Sequence, residues 1–153
     1  MGYEDLLKEA ENLNVLIKEK KLKLRDGLCY GNRIAINSDL KTLKEKNATL
    51  AEELGHFETS SGNILDQSNV SNRKQEKRAR NWAYEKLTGI ISIISAFEKG
   101  IRNKYELAEY LNVTEEFLEQ AIHHYREKYG IYYEIDTYII YFEPNFSIIK
   151  KWF

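Results

Sequence analysis

Two amphipathic segments, 43–57 and 74–87, constrain this chain most, because each carries small residues where a second helix would have to pass. At about 100° per residue, Leu43, Leu50, Leu54 and Phe57 gather on one side of the first segment. Glu45, Thr49, Glu52, Glu53 and His56 form the other side, and Gly55 leaves a gap beside them. In the second segment Ala79, Ala83, Leu87 and Ile90 form the apolar stripe, and Glu76 projects onto it. The small side chains at 79 and 83 allow close packing against Gly55. An inward Glu76 needs a cation, since an unpaired buried carboxylate costs several kcal/mol or shifts its pKa instead.

The first segment also carries a chemical pattern. In Glu52-Glu53-Leu54-Gly55-His56, Glu52 and His56 lie one helical turn apart on one face, the spacing at which a zinc-peptidase helix sets its two ligands. Glu53 falls where the general base stands in that motif. A carboxylate is a harder zinc ligand than imidazole but an accepted one. The plain alternative is a solvated acidic face with a single surface histidine. For Glu76 the plain alternative is a salt bridge to Arg80, one turn on.

The run from Ala48 to His56, the segment Ser60-Ser61-Gly62-Asn63-Ile64-Leu65-Asp66 and the helix from Lys74 to Leu87 together resemble the phage and mobile-element branch of the ImmA/IrrE metallo-endopeptidases. The resemblance covers roughly the first ninety residues by motif and the remainder by layout. It implies a zinc site made by a His-Glu-x-x-His helix and a glutamate on a following helix, in a protease that cleaves or inactivates a helix-turn-helix repressor of a prophage or mobile element. Position by position, His56 matches the second histidine ligand, Glu53 the catalytic base and Glu76 the acidic third ligand. Glu52 departs from the pattern by standing at the first histidine's place. Zinc is the implied cofactor, manganese or another divalent cation suits the added carboxylate, and a decayed site would hold none. Asp66 is a lower-ranked metal candidate, for which capping or turn formation is the ordinary role. Two functions follow as alternatives: a metal-dependent endopeptidase-like protein acting on a repressor, or an inactive peptidase fold that binds a repressor or other partner without cleavage.

With 23 basic and 24 acidic residues the formal net charge is −1, so there is no bulk attraction to nucleic acid or to an anionic membrane. The lone cysteine, Cys29, rules out a disulfide within the chain and fits a reducing cytoplasm, where the protein is expected to act. No activating base stands near Cys29 in sequence, so packing is its expected role. No apolar run approaches a signal core or a membrane span.

The expected fold is α+β and mostly helical, with a zincin-like metallopeptidase core over 1–100 and a helix-turn-helix with a β-hairpin wing over 101–153. An opening helix spans about Tyr3 to Leu13, and a hairpin over Gly27–Asn37 turns at Gly31-Asn32. Its edge offers an extended substrate a strand to pair with. Apolar residues 90–97 continue the second helix toward Gly100. Lys104 to Ala121 reads as the helix-turn-helix, with Asn112 at the turn and Thr114 as cap. Its second helix opens Thr114-Glu115-Glu116 and adds Glu119, which argues against reading DNA and for a protein-binding role. The adjacent His123 and His124 point in different directions and form no metal pair. A second hairpin turns around Asp136-Thr137.

Overall fold

The computed structural model describes residues 1–60 and 69–151 of the 153. It is an α+β chain in two compact units, Met1–Leu87 and Thr88–Phe153.

In the first unit, helix α1 (Tyr3–Asn12) is followed by strands β1 (Leu16–Lys20), β2 (Gly27–Tyr30) and β3 (Arg33–Asn37), then helices α2 (Leu43–Thr59) and α3 (Asn69–Leu87). The hairpin forms as expected, with Cys29 opposite Ile34 and Gly31 at φ +58° in the turn. A third strand, β1, adds to it in parallel, giving the order β1-β3-β2. Its sequence, Leu-Ile-Lys-Glu-Lys, alternates too weakly to announce a strand, and only the long-range pairing with β3 makes it one. Ile34 and Ile36 are buried, as are Leu6, Ala10, Leu50, Ala51 and Leu54 of the helices that pack with the sheet.

Helix α2 starts where the Thr42 hydroxyl accepts from the Glu45 backbone N–H at 3.1 Å. Leu43, expected on its buried face, is instead 65% exposed, since it is the first helical residue and lies before the turn that meets the core. Helices α2 and α3 come very close at Gly55 and Ala79. A Cβ built on Gly55 would lie 2.5 Å from the Ala79 carbonyl oxygen and 3.0 Å from its Cα. Ala79 and Ala83 are fully buried, so the small-residue seam inferred from the sequence is the seam that forms. Ion pairs between Lys86 and Glu9 at 2.8 Å and between Lys46 and Glu19 at 2.9 Å tie α3 to α1 and α2 to β1.

The second unit holds α4 (Ile90–Glu98), α5 (Lys104–Leu111), α6 (Glu115–Tyr129) and strands β4 (Tyr132–Ile135), β5 (Tyr138–Tyr141) and β6 (Ser147–Lys150). The apolar stretch from Ile90 does not continue α3. The chain breaks at Thr88-Gly89, where Gly89 takes an extended N-cap conformation and the buried Thr88 carbonyl accepts from the Tyr125 hydroxyl at 2.8 Å. Helix propensity alone could not foretell this break, because the partner that captures the carbonyl lies 37 residues away. Asn112 adopts φ +58° after α5, and the Thr114 hydroxyl caps α6 by accepting from the Phe117 N–H at 3.0 Å. Leu107, Leu111, Leu118, Ile122, Ile140 and Phe142 are buried, and the Arg126 guanidinium donates twice to the Phe142 carbonyl, at 3.1 and 2.9 Å. The expected aromatic hairpin is a three-stranded antiparallel sheet, β4-β5-β6, because Ser147–Lys150 pairs with the outer edge of β5.

No helix among the described residues is long and apolar enough to cross a membrane.

Gly55→Ala is expected to destabilise the protein by roughly 1–3 kcal/mol, since the methyl must push two backbones apart. The ~1 kcal/mol by which alanine favours a helix over glycine offsets part of that cost. Urea unfolding of the two proteins measures the difference.

Candidate metal centre

The Gly55–Ala79 approach sets one face of α2 against α3, and the polar residues beside it meet. Glu52, His56 and Glu76 each present a donor atom, and these atoms lie within 4.8 Å of one another. His56 Nε2 is 3.3 Å from Glu76 Oε1. Two donors sharing a tetrahedral zinc at about 2.1 Å would be separated by about 3.4 Å, so this pair already has the spacing of two ligands on one ion. The His56 side chain is 12% exposed and that of Glu76 47%, so the site sits at the rim of the helix seam, open on one side. Glu76 is therefore turned toward α2 and the opening, rather than into the interior as its place on the apolar stripe suggested. The long side chain carries its carboxylate past the buried alanines.

Arg80, which the spacing offered as the alternative partner of Glu76, reaches toward the other helix. Its Nε lies 3.6 Å from Glu52 Oε1, across the seam. Burial raises the Glu52 pKa above the usual carboxylate value; Arg80 opposes that rise, Glu76 adds to it and His56 opposes it. Tyr84, one turn beyond Arg80, is raised by its own burial, with opposing influences from Arg80 and Glu52 that place it beside the same cluster. Neither Arg80 as the partner of Glu52 nor Tyr84 as a neighbour was legible from the spacing. The signal available was their place four and eight residues after Glu76, on the same side of α3.

Glu53 leans the other way, toward the sheet. A Cβ on Gly27 would meet Thr49 Cγ2 at 2.7 Å, Glu53 Cγ at 2.8 Å and Glu53 Oε1 at 3.0 Å, so the absence of a side chain at 27 is what lets β2 lie against this part of α2. β2 is an outer strand of its sheet, which puts a sheet edge beside the Glu53 carboxylate. Burial pushes Glu53 from the usual 4.5 up to about 8; the charges of Glu52 and Glu76 add to the rise and Arg25 opposes it. A carboxyl that holds its proton near neutrality suits a group that takes up and releases protons in catalysis. Cys29 sits half-buried on β2, where burial and then the Glu53 charge push its thiol up to about 11, the opposite of an activated nucleophile. Asp66 lies outside the described residues. His123 is exposed and pairs with Glu127 at 3.1 Å, and His124 is buried against Tyr125.

Because the folded, metal-free protein holds the Glu53 proton between pH 4.5 and about 8 while the unfolded chain releases it, stability falls as pH rises through that window. Glu53→Gln removes this penalty. The variant should melt above the parent at pH 8 and beyond, with the gap closing below pH 4.5; thermal melts of the metal-free proteins across that range test it.

A comparison with curated proteins gives no match. The family model Peptidase M78, described as the IrrE N-terminal-like domain, matches residues 8–123, which takes in the three clustered donors, Glu53, the sheet edge at Gly27 and most of α6. A match over that much of the chain, with the donor cluster inside it, means that the chain belongs to the Peptidase M78 family of IrrE N-terminal-like domains.

Proposed function

We propose that this protein is a metal-dependent endopeptidase-like protein of a prophage or mobile element, with Glu52, His56 and Glu76 as metal ligands and Glu53 as general base. The observation that carries the reading is the convergence of Glu52, His56 and Glu76 from two helices, in a member of a metallopeptidase family. A divalent ion held there, zinc or a harder ion such as manganese, supplies Lewis acidity for peptide hydrolysis. The residues do the rest. With an ion on Glu52 and Glu76 their charges would no longer add to the rise at Glu53, whose ionised form would accept a proton from the attacking water and pass it toward the leaving amine. An extended substrate segment adds to the outer edge of β2, whose approach at Gly27 brings that edge beside Glu53.

The substrate we propose is a helix-turn-helix repressor, met in the cytoplasm. The succession of α5, α6 and the β4-β5-β6 sheet supports reading this unit as a helix-turn-helix with a wing. Glu115, Glu116 and Glu119 are exposed at the start of α6, where a DNA-reading helix would face phosphates. That charge supports protein binding over operator recognition.

One observation favours the second reading, a protein that binds a repressor without cutting it. Glu52 replaces an imidazole ligand and already has Arg80 as a partner, so its commitment to a metal is contested.

Glu53→Gln should keep the metal and abolish cleavage of a co-expressed repressor, whereas His56→Ala should lose both. Metal content by plasma mass spectrometry and immunoblots of the repressor read the two effects. Cleavage undiminished in Glu53→Gln would overturn the assigned base, and an intact repressor co-purifying with the wild type would favour the binding role.

A further inference from the structure

Four side chains cross the α2–α3 seam as two pairs. His56 and Glu76 supply one, and Glu52 and Arg80 the other; Glu52 lies one turn before His56 on α2, and Arg80 one turn after Glu76 on α3. The first pair has the spacing of two metal ligands. The second contains a proposed ligand and a permanent cation, since a guanidinium does not lose its proton in a protein.

Formal charge decides what the second pair does. A site of two imidazoles and one carboxylate carries a single negative charge, whereas Glu52, His56 and Glu76 carry one more. The extra charge has two consequences for a bound cation: tighter binding and weaker polarisation of whatever the cation touches. Arg80 stands 3.6 Å from Glu52 and brings the local sum back to that of the two-imidazole site.

We infer that Arg80 is a built-in counter-charge to Glu52, letting a carboxylate stand in for a neutral ligand by holding metal affinity down and Lewis acidity up. This rests on the reading that Glu52, His56 and Glu76 hold the metal. A carboxylate has two oxygens, so Glu52 can give one to an ion and keep the other toward Arg80. The Arg80 side chain is 56% exposed and that of Glu52 36%, so water is at hand and the guanidinium can shift as an ion enters without leaving the cluster. Arg80 is thus a positioning residue, acting on the site through Glu52.

The two roles open to Arg80 have opposite signs. If it merely held α3 and Glu52 in place, its loss would weaken metal binding. If it is a counter-charge, its loss strengthens binding.

The test is zinc titration of the metal-free full-length protein against a chromophoric chelator, comparing wild type, Arg80→Gln and Arg80→Lys at low and high salt, with far-ultraviolet circular dichroism to confirm the fold. Arg80→Gln should bind zinc more tightly by on the order of tenfold at low salt, with the gain shrinking as salt rises. Arg80→Lys keeps the charge and should stay near wild type. Weaker or unchanged binding by a folded Arg80→Gln, or equal tightening in Arg80→Lys, overturns the counter-charge while leaving the metal site standing. A wild type that binds neither zinc nor, in the same titration, manganese overturns the site reading and this inference with it.

Discussion

The closeness of α2 and α3 at Gly55 and Ala79 is the constraint on which the rest depends. Position 55 has no room for a side chain, because a single added carbon there would fall 2.5 Å from the Ala79 carbonyl oxygen. At a separation that small, side chains of ordinary length reach across the seam. His56 then meets Glu76 and Glu52 meets Arg80, with no loop needed to bring them together. Packing and chemistry are therefore one problem here: the small residues that let the helices touch also set the distance between donors. The core beneath, Leu50 and Leu54 against the sheet with Ile34 and Ile36, holds α2 in register so that its polar face stays at the rim.

A second close approach, Gly27 against Glu53, works on the same helix from the other side. It takes water away from the carboxylate, which raises its proton affinity, and it brings a sheet edge alongside. The two glycines divide the polar face of α2 between two tasks. Gly55 turns Glu52 and His56 toward α3, and Gly27 leaves Glu53 facing β2. Adjacent residues on one helix thus enter different environments, the condition under which two neighbouring carboxylates can take different chemical roles.

Glu52, which stands where the resemblance implies a histidine, has its own partner within the same framework. A carboxylate differs from an imidazole in both donor and charge, and the carboxylate of Glu52 has the Arg80 guanidinium of the neighbouring helix 3.6 Å away. The family match gives the metallopeptidase setting, and the arrangement of these four side chains gives the individual character of this member.

Much was readable from the chain alone. The helices of the site, the hairpin with its Gly31-Asn32 turn, the caps at Asn112 and Thr114 and the Gly55–Ala79 seam all follow from interactions within a few residues, or from a periodicity that is local by nature. The candidate ligands were legible too, because spacing along a helix translates directly into a shared face. What the sequence could not decide were the choices made by distant partners. β1 and β6 become strands only because β3 and β5 offer them an edge, and α3 ends where a tyrosine far along the chain takes the Thr88 carbonyl. Arg80 is the clearest case: its spacing offers Glu76 as an alternative partner, and the packed helices set it 3.6 Å from Glu52, because side-chain charges choose among partners by distance in space and the sequence records distance only along the chain.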